Sequence, residues 1–478
     1  MATDENTKFP QSDLSRRAVL KGAGALAAAA GFSAIDPTSA EAQAGQPQPV
    51  NPYGGGPSTG LQFPPYYKPT PSVRSRNVYF PYSETLGKDE MRVSFIGSTP
   101  IPLRREQAGT CIMVELGNGN RFFFDFGPGC VKNIIAMGVP MQEINDIFLT
   151  HLHVDHYHDL AYLIPFAPWA GRWKMPLRVT GPSGRTPDLG TKAMIAATKQ
   201  MLKWHLEAFD TCPIGDGYEV EVNEFDWKDE YGICYDKDGV TIRHWRRSHT
   251  KDGASAYRLD WNGLSFVWTG DGRPDELTVK YAKGVDLFVT ETQADLGIIN
   301  QYKYGLPKIL YNYTIDIHHT VPYGAGYLFK QVSPRCAMVT HMEFDNDYLN
   351  EISADIRAHW DGLFLFGAPD VVVVNVTKDE VWHREAALPG FAGQPFPNPT
   401  LLFGDPLPFA TGKGIVPQPR LPREMQQEQL TRDLEIDPHL YYPPNVWREQ
   451  LTKLNNPEEI DLIALAKVMN IDLSKFKK

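Results

Sequence analysis

The stretch that decides the fold is Thr150-His151-Leu152-His153-Val154-Asp155-His156, which directly follows the apolar run at residues 147–149. In an extended segment residues i and i+2 point to the same side, so His151 and His153 present their imidazoles to one metal ion. As the chain turns after them, Asp155 and His156 face a second ion nearby. This density of metal-binding side chains predicts a metal site at the end of a strand.

Three further candidate ligands accompany later apolar runs. His249 precedes the run at 254–259, Asp271 lies in a Thr-Gly-Asp turn directly after 264–268, and His341 follows 337–340. His244 is a rival for the place of His249. By resemblance to a known family of metal sites, only His249 is followed at the matching distance by a Tyr-Arg segment, at residues 257–258, so we favour His249 as the ligand.

Short apolar runs alternate with helical patterns through the middle of the chain, which predicts an α/β fold. Gly117-Asn118-Gly119-Asn120 predicts a hairpin turn between two of the runs. The predicted strands are 92–96, 110–116, 121–125, 146–150, 241–245, 254–259, 264–268, 287–290, 337–340 and 370–376. The predicted helices are 160–167, 191–209, 323–331 and 457–469.

The pattern His-x-His-x-Asp-His, a later lone histidine, an aspartate in a Thr-Gly-Asp turn and a final histidine resembles the metallo-β-lactamase superfamily. The resemblance covers residues 91–345 and implies an αββα sandwich. Within that superfamily, the segments at 95–99, 124–129 and 181–184 resemble the branch of ribonuclease Z, arylsulfatases and phosphodiesterases. A fainter resemblance, at Asn375-Val376-Thr377-Lys378, is to guanitoxin-biosynthesis-type metallohydrolases.

The resemblance implies a centre of two zinc ions, with iron or manganese as alternatives. The first zinc ion would be held by His151, His153 and His249, the second by Asp155, His156 and His341, with Asp271 bridging the two. Asp155 also counts among the catalytic residues, and Asp125 is expected as a structural carboxylate behind the metal loop. Two ions bridged in this way hold a shared water, lower its pKa and aim it at a carbonyl, sulfuryl or phosphoryl centre.

The sequence departs from the ribonuclease pattern in two places. The string that matches its His-Glu-Ala-Thr motif is Thr290-Glu291-Thr292, without the histidine, and the later loop reads His318-His319-Thr320. Glu291 and His319 remain as an acid/base pair, with His319 preferred to His318 as the proton donor. Only 21 residues separate His249 from Asp271, which leaves no room for a long tRNA-gripping arm. These departures argue against ribonuclease activity.

The chain outside residues 91–345 is assigned from its composition and from one short motif. Ser15-Arg16-Arg17, an alanine-rich stretch to residue 34 and Ala42-Gln43-Ala44 resemble a twin-arginine export signal, which implies the translocase as a partner and a periplasmic or secreted protein. Residues 45–90 form a Pro/Gly-rich arm, 91–345 the catalytic domain, and 346–478 an extension with a Pro-rich strap and a terminal helix.

Charge and cysteine content exclude several classes of function. The net charge is −10, or −9 without residues 1–44, so no overall field favours nucleic acid. Five scattered cysteines make no disulfide scaffold, although Cys212 and Cys234 are candidates for a pair. No stretch predicts stable membrane insertion. No Gly-x-Ser-x-Gly elbow or phosphate-binding loop is present, which excludes serine hydrolases and nucleotide-binding folds.

The prediction is therefore a zinc-dependent hydrolase that acts on a small ester, phosphoester, sulfate ester or amide. Two alternatives are a non-hydrolytic di-iron oxidoreductase, since the same ligands hold iron, and a metal-binding protein without turnover. A set of residues after the metal loop is expected to wall a substrate pocket or to pack in the core. The set is Tyr162, Phe166, Trp169, Arg172 and Trp173.

Overall fold

The computed structural model describes residues 75–389 except residues 82–83, 85, 101–102, 169, 171, 173–175, 209–214, 295–304, 306 and 345. Several predictions fall on other residues and lie outside the described part. They are the export signal at 1–44, most of the arm at 45–90, the Pro-rich strap and the helix at 457–469. Cys212, Trp169 and Trp173 also lie outside the described residues.

The first of two sheets contains, among the described residues, nine strands. In order across the sheet they are β1 (Val78–Tyr79), β16 (Val381–Ala386), β15 (Val372–Val376), β2 (Met91–Gly97), β3 (Cys111–Leu116), β4 (Arg121–Phe124), β5 (Asp146–Phe148), β6 (Leu177–Pro182) and β7 (Val220–Phe225). The predicted hairpin is confirmed: β3 and β4 pair antiparallel, and the positive φ of Gly119, 94°, suits the turn that joins them. From β4 to β7 the strands are parallel.

The second sheet contains seven strands within the described part of the chain. Their order is β14 (Phe364–Phe366), β13 (Cys336–Thr340), β12 (Leu287–Glu291), β11 (Leu264–Trp268), β10 (Ser255–Trp261), β9 (Val240–Arg246) and β8 (Glu230–Lys237). Strands β11 to β14 are parallel, so their carboxyl ends meet at one edge. That edge positions Asp271, Glu291 and His341, each of which ends or follows one of these strands.

Helices cover the outer face of each sheet. Beside the first sheet lie α1 (Cys130–Ala136), α2 (Leu160–Phe166), α3 (Thr191–Met201) and α4 (Lys203–Ala208). The helices that connect or follow strands of the second sheet are α5 (Glu276–Tyr281), α6 (Lys308–His318), α7 (Pro322–Val332) and α8 (Asn346–Arg357). The helix predicted at 191–209 is thus two helices, because Leu202 ends the first of them.

Three buried apolar clusters give the molecule its layers. The central one joins the inner faces of both sheets through side chains such as Phe124, Phe148, Tyr257 and Trp268. A second packs the outer face of the first sheet against α1, α2 and α3, and a third packs α7 and α8 against the second sheet. This is the αββα sandwich that the resemblance implies, with burial of apolar surface on both faces of each sheet.

The sandwich extends beyond the predicted domain boundaries at residues 91 and 345. Strand β1 pairs with β16, β15 pairs with β2, and β14 completes the second sheet after β13. The backbone groups of these strands are hydrogen-bonded within the sheets, so the strands from β1 to β16 belong to one sandwich. None of the helices in the described part combines the length and hydropathy that a membrane span needs.

Candidate metal centre

The loop from 150 to 156 carries four of the candidate ligands over the end of β5, and Asp125 holds the loop in place. One oxygen of the buried Asp125 carboxylate accepts hydrogen bonds from the Thr150 amide at 2.8 Å and from its hydroxyl at 2.9 Å. The other accepts from Trp268 Nε1 at 2.8 Å and lies 2.9 Å from His156 Nδ1. The expected structural carboxylate is therefore placed directly behind the loop.

The turn at Asp271 lies tightly against the same loop. Gly270 has a φ of 58°, and a Cβ atom at this position would lie 2.6 Å from Thr150 Cβ. A side chain there would clash, so only glycine lets the turn come this close to the histidine loop. The approach places the Asp271 carboxylate among the histidines, 2% exposed.

The first donor cluster consists of His151, His153, His249 and Asp271. His153 Nδ1 lies 3.0 Å from His151 Nε2 and 3.2 Å from His249 Nε2. Asp271 Oδ2 lies 3.8 Å from His151 Nε2 and 4.0 Å from His249 Nε2. Each of the four side chains thus offers one atom to a common point.

The second donor cluster consists of Asp155, His156, His341 and the same oxygen of Asp271. His341 Nε2 lies 3.2 Å from both His156 Nε2 and Asp155 Oδ2. Asp271 Oδ2 lies 3.4 Å from His156 Nε2 and 3.5 Å from His341 Nε2. The structure therefore brings all seven candidate ligands together and makes Asp271 common to both clusters.

Both clusters fit divalent metal ions. Four donors at zinc–nitrogen or zinc–oxygen distance from one tetrahedral ion lie roughly 3.3–3.4 Å apart, close to the separations found here. The second oxygen of Asp271, Oδ1, is buried and has no hydrogen-bond partner among the described residues. A buried carboxylate oxygen without a partner is costly unless a cation satisfies it.

Contacts behind the histidines leave their inward nitrogens free to bind metal. His249 Nδ1 donates to the backbone carbonyl of His318 at 2.7 Å, so its Nε2 carries the lone pair that faces the cluster. His153 has the opposite arrangement, with Nε2 3.1 Å from the Thr250 hydroxyl and Nδ1 facing inward. These contacts orient each ring as a ligand requires.

Electrostatics favour the ligand forms of His151, His249 and Asp155. Burial keeps the pKa of His151 well below its usual range and lowers the pKa of His249 to about 3, so both rings are neutral. Burial alone would raise the pKa of Asp155, but the charge of His156 and a hydrogen bond with His341 lower it to about 2. His156 differs, because the carboxylates of Asp271, Asp125 and Asp155 outweigh its burial and raise its pKa well above the usual range.

Glu291 and His319 meet beside the second cluster, as the acid/base prediction requires. His319 Nδ1 lies 2.9 Å from both oxygens of Glu291, and the buried Glu291 also accepts from the Gly272 amide at 2.8 Å. Burial lowers the pKa of His319, but the charge of Glu291 and the hydrogen bond between them raise it to about 9. His318 contributes its carbonyl to His249 and makes no such contact with Glu291.

Other predicted residues have structural positions away from the centre. His244 is buried in β9 and stacks on Phe225 with ring centroids 3.6 Å apart, so the choice of His249 agrees with the geometry. Arg247 is buried, where it donates to the carbonyl of Gly272 and pairs with Asp275. Arg246 is exposed and pairs with Glu230.

Of the residues expected to wall a pocket or to pack in the core, Arg172 is buried, whereas Tyr162 and Phe166 are exposed. Arg172 is buried and donates to the carbonyl of Ile144 at 3.1 Å, so it packs in the core. Tyr162 and Phe166 are exposed on α2 and pack against each other, with ring centroids 4.7 Å apart. None of these three residues lines the pocket beside the metal centre.

Several supporting residues were missed by sequence reasoning. Gln293 Nε2 lies 3.1 Å from His341 Nδ1 and donates to the His341 carbonyl at 2.9 Å. Trp268 fixes Asp125, as described above. Their positions in the sequence could have indicated a supporting role, because Trp268 ends the strand before the Thr-Gly-Asp turn and Gln293 lies two residues after Glu291. Neither residue type suggests a metal site by itself.

Comparison with known proteins agrees with this geometry. Residues 120–342 match the model of the beta-lactamase superfamily domain. Ribonuclease Z from Mycobacterium sp. (strain KMS) is 29% identical over 212 residues, which cover 43% of this chain and 70% of that protein. Ribonuclease Z from Mycobacterium marinum is 29% identical over 206 residues, covering 42% and 69%. Residues 120–342 are thus similar to the beta-lactamase superfamily domain, and the chain resembles ribonucleases Z over less than half of its length.

Among solved structures, the metallo-beta-lactamase fold protein YhfI from Bacillus subtilis is similar to this chain at 16% identity. The match covers 62% of this chain and 100% of that one, with a TM-score of 0.43.

Proposed function

We propose that this protein is an exported hydrolase that uses two zinc ions to cleave a small ester, phosphoester, sulfate ester or amide. The observation that carries the proposal is the position of Asp271 Oδ2, which lies within 3.4–4.0 Å of ligand nitrogens of both donor clusters. A shared carboxylate oxygen between two clusters of imidazoles and carboxylates is the arrangement of a dinuclear hydrolytic centre.

The metal pair would supply a water of lowered pKa and would polarise the bond under attack. The protein's own groups have separate roles around it. His151, His153 and His249 would hold one ion, and Asp155, His156 and His341 the other, with Asp271 shared. Asp125 and Gln293 hold His156 and His341 in position. No side-chain nucleophile is required for this chemistry.

His319 is proposed as the proton donor to the leaving group. Its Nδ1 is engaged by Glu291, so Nε2 is the atom that reaches the substrate. The ion pair with Glu291 favours the charged imidazolium, which is the form that donates a proton. The two side chains thus separate protonation of the leaving group from activation of water.

Two further features belong to the proposal. The twin-arginine pattern in residues 15–17 supports export to the periplasm or beyond. The acidic net charge of −10 and the short segment between His249 and Asp271 support a small-molecule substrate rather than tRNA. The resemblance to guanitoxin-biosynthesis-type hydrolases stays a prediction from sequence.

The test is a panel of chromogenic carboxylic esters, phosphodiesters, sulfate esters and lactams assayed with the full chain reconstituted with zinc. The proposal expects zinc-dependent turnover of at least one class, removal of that turnover by a chelator, and its return with zinc. Precursor tRNA is the matched negative substrate.

Two results would contradict the proposal. Efficient cleavage at the 3′ end of precursor tRNA would make the protein a nuclease like its ribonuclease Z relatives. Iron in protein purified without added metal, together with no turnover on the panel, would favour the oxygen-dependent alternative.

A further inference from the structure

A pocket opens directly beside the first donor cluster. Its volume is about 300 Å³, and His151, His153 and His249 form one side of it. A group bound there would therefore lie next to the bond that the metal centre acts on. The volume is at the lower end of the range for ligand pockets, which indicates a compact ligand.

The wall opposite the histidines is apolar. It is formed by Pro182 at the end of β6, by Leu189, and by Ala193, Met194 and Ala197 on α3. Ala193 and Ala197 are one helical turn apart, so both face the same space. Because both side chains are a single methyl group, they leave room that a larger side chain would fill.

The walls are held in position before any ligand binds. Thr191, the first residue of α3, donates its hydroxyl to the carbonyl of Pro182 at 2.8 Å, which fixes the helix to the end of β6. The Lys192 amide donates to Glu224 on β7 at 2.8 Å. A Cβ atom at Gly190 would lie 2.4 Å from that Glu224 carboxylate, so this corner is closely packed.

The charge of the lining excludes a polyanionic group. Apart from the histidines, the ionisable residues around the pocket are Lys251, Asp188 and Asp252. Asp252 is already paired with Arg185 at 2.5 Å. One lysine beside two aspartates makes no phosphate-binding cluster, which needs several convergent cations or backbone amides.

We propose that this pocket binds an uncharged apolar group of the substrate and that α3 limits the size of that group through Ala193 and Ala197. The inference rests on the proposed hydrolase function, which places the scissile bond at the histidines. It narrows the substrate class to molecules that carry a compact apolar group directly beside the bond to be cleaved.

The test measures kcat/KM of the zinc-loaded full chain on p-nitrophenyl esters of linear acids from acetyl to decanoyl. In the wild type, kcat/KM should rise by up to about fourfold per added methylene until the pocket is filled. Ala193→Leu and Ala197→Leu should lower kcat/KM on the longer esters by about tenfold or more and leave the acetyl ester within about twofold. Ala196→Leu is the matched control, because Ala196 lies on the same helix and is exposed, as Ala197 is, but does not line the pocket.

A second measurement keeps the pocket testable if no ester is turned over. The uncharged dye N-phenyl-1-naphthylamine should fluoresce on binding to the wild type and to Ala196→Leu, and 1-decanol should displace it. Ala193→Leu and Ala197→Leu should bind the dye at least tenfold more weakly. Loss of ester turnover with this dye pattern intact would count against hydrolysis and not against the pocket. Equal dye binding by all variants, or the same chain-length profile in Ala197→Leu and wild type, would overturn the inference.

Discussion

At the scale of single residues, the metal centre depends on residues with uncommon backbone conformations. Asp125 and His341 both have positive φ values, 59° and 51°. Such conformations cost of order 1–3 kcal/mol in residues other than glycine, and they persist where the surroundings enforce them. Here the hydrogen bonds of Asp125 and the contacts of Gln293 with His341 enforce these backbone conformations. They lower the stability of the fold but position the residues of the metal centre precisely.

The seven ligand positions were proposed from the His-x-His-x-Asp-His string and from the family that the later His and Asp residues resemble, and the structure brings these side chains together. The contacts behind them were not predictable. Trp268 on β11 of the second sheet reaches Asp125, which follows β4 of the first sheet. Gln293 follows β12 and reaches His341, which follows the neighbouring strand β13. Sequence separation hides contacts of this kind.

Replacement of His319 by alanine tests its role as proton donor. His319→Ala should lower turnover by about a hundredfold or more on substrates with poor leaving groups, which need a proton to depart. Activated nitrophenyl substrates should lose much less activity, since nitrophenolate departs unprotonated. The measurement is kcat/KM on a matched pair of such substrates, together with metal content.

His318→Ala is the control for this variant. The His318 ring, at the end of α6, lies edge-on to His249 with ring centroids 6.3 Å apart. The hydrogen bond that orients His249 is accepted by the His318 backbone carbonyl, which this change retains, so both substrates should be nearly unaffected. Equal loss on good and poor leaving groups in His319→Ala, or loss of metal, would show that His319 is a ligand or a structural residue instead.

At the scale of secondary-structure elements, the accuracy of sequence prediction follows the depth of burial. The strands with continuous apolar runs, such as β11 and β13, were predicted nearly to the residue. Strands β1, β6, β7, β8, β14 and β16 were not predicted. Four of them, β1, β7, β8 and β14, are edge strands, and charged residues and partial exposure weaken the apolar pattern of β7 and β8. Strand β6 is an exception, because it is interior and mostly buried but has few apolar residues.

Three neighbouring strands of the first sheet, β2, β3 and β4, are joined by buried ion pairs. Glu115 on β3 accepts from Arg92 on β2 at 2.7 Å and from Arg121 on β4 at 3.0 Å. Burial alone would raise the pKa of Glu115, but the charges of the two arginines lower it from 4.5 to about 2. The carboxylate therefore ties β2, β3 and β4 together just before Asp125.

Glu115→Gln should destabilise the fold by about 3–5 kcal/mol at about pH 7, because it removes the nearer carboxylate partner of the buried Arg92 and leaves only Glu84, at 3.6 Å. A carboxyl with a lowered pKa in the folded state stabilises above its unfolded value, and this contribution is lost as the pH falls from 4.5 toward 2. Denaturant midpoints should therefore differ strongly between wild type and variant near neutrality and converge in acid. Glu380→Gln, which breaks the exposed pair with Arg76, is the control and should leave the midpoint nearly unchanged.

A gap between the Glu115→Gln and wild-type midpoints that stays constant down to about pH 2 would contradict this account. It would show that the carboxylate charge contributes little and that the variant loses stability through packing alone.

At the scale of the whole molecule, the sandwich is assembled from distant parts of the chain. Strand β15 inserts between β16 and β2, although nearly 280 residues separate it from β2 along the sequence. The sequence pattern predicted β15 as a strand but placed it in an extension beyond residue 345. Its membership of the first sheet depends on a long-range pairing that local patterns do not encode.

The proposed export signal gives a prediction for the full chain. Replacing Arg16 and Arg17 by lysine should leave the precursor uncleaved in the cytoplasm, because the translocase reads the paired guanidinium groups. Cell fractionation and immunoblotting measure this, and a protein with the arginines intact is the control. Cleaved double variant in the periplasm would assign the signal to another pathway.

The most direct test of the account is the metal content of the purified protein, because the proposed chemistry depends on two ions that share Asp271. After reconstitution and desalting, elemental analysis should find about two metal ions per chain in the wild type. Asp155→Ala should lower occupancy chiefly at the second cluster, whereas Asp271→Ala should lower it at both. A wild type that retains one ion or none, or an Asp271→Ala variant that still holds two, would contradict the dinuclear centre.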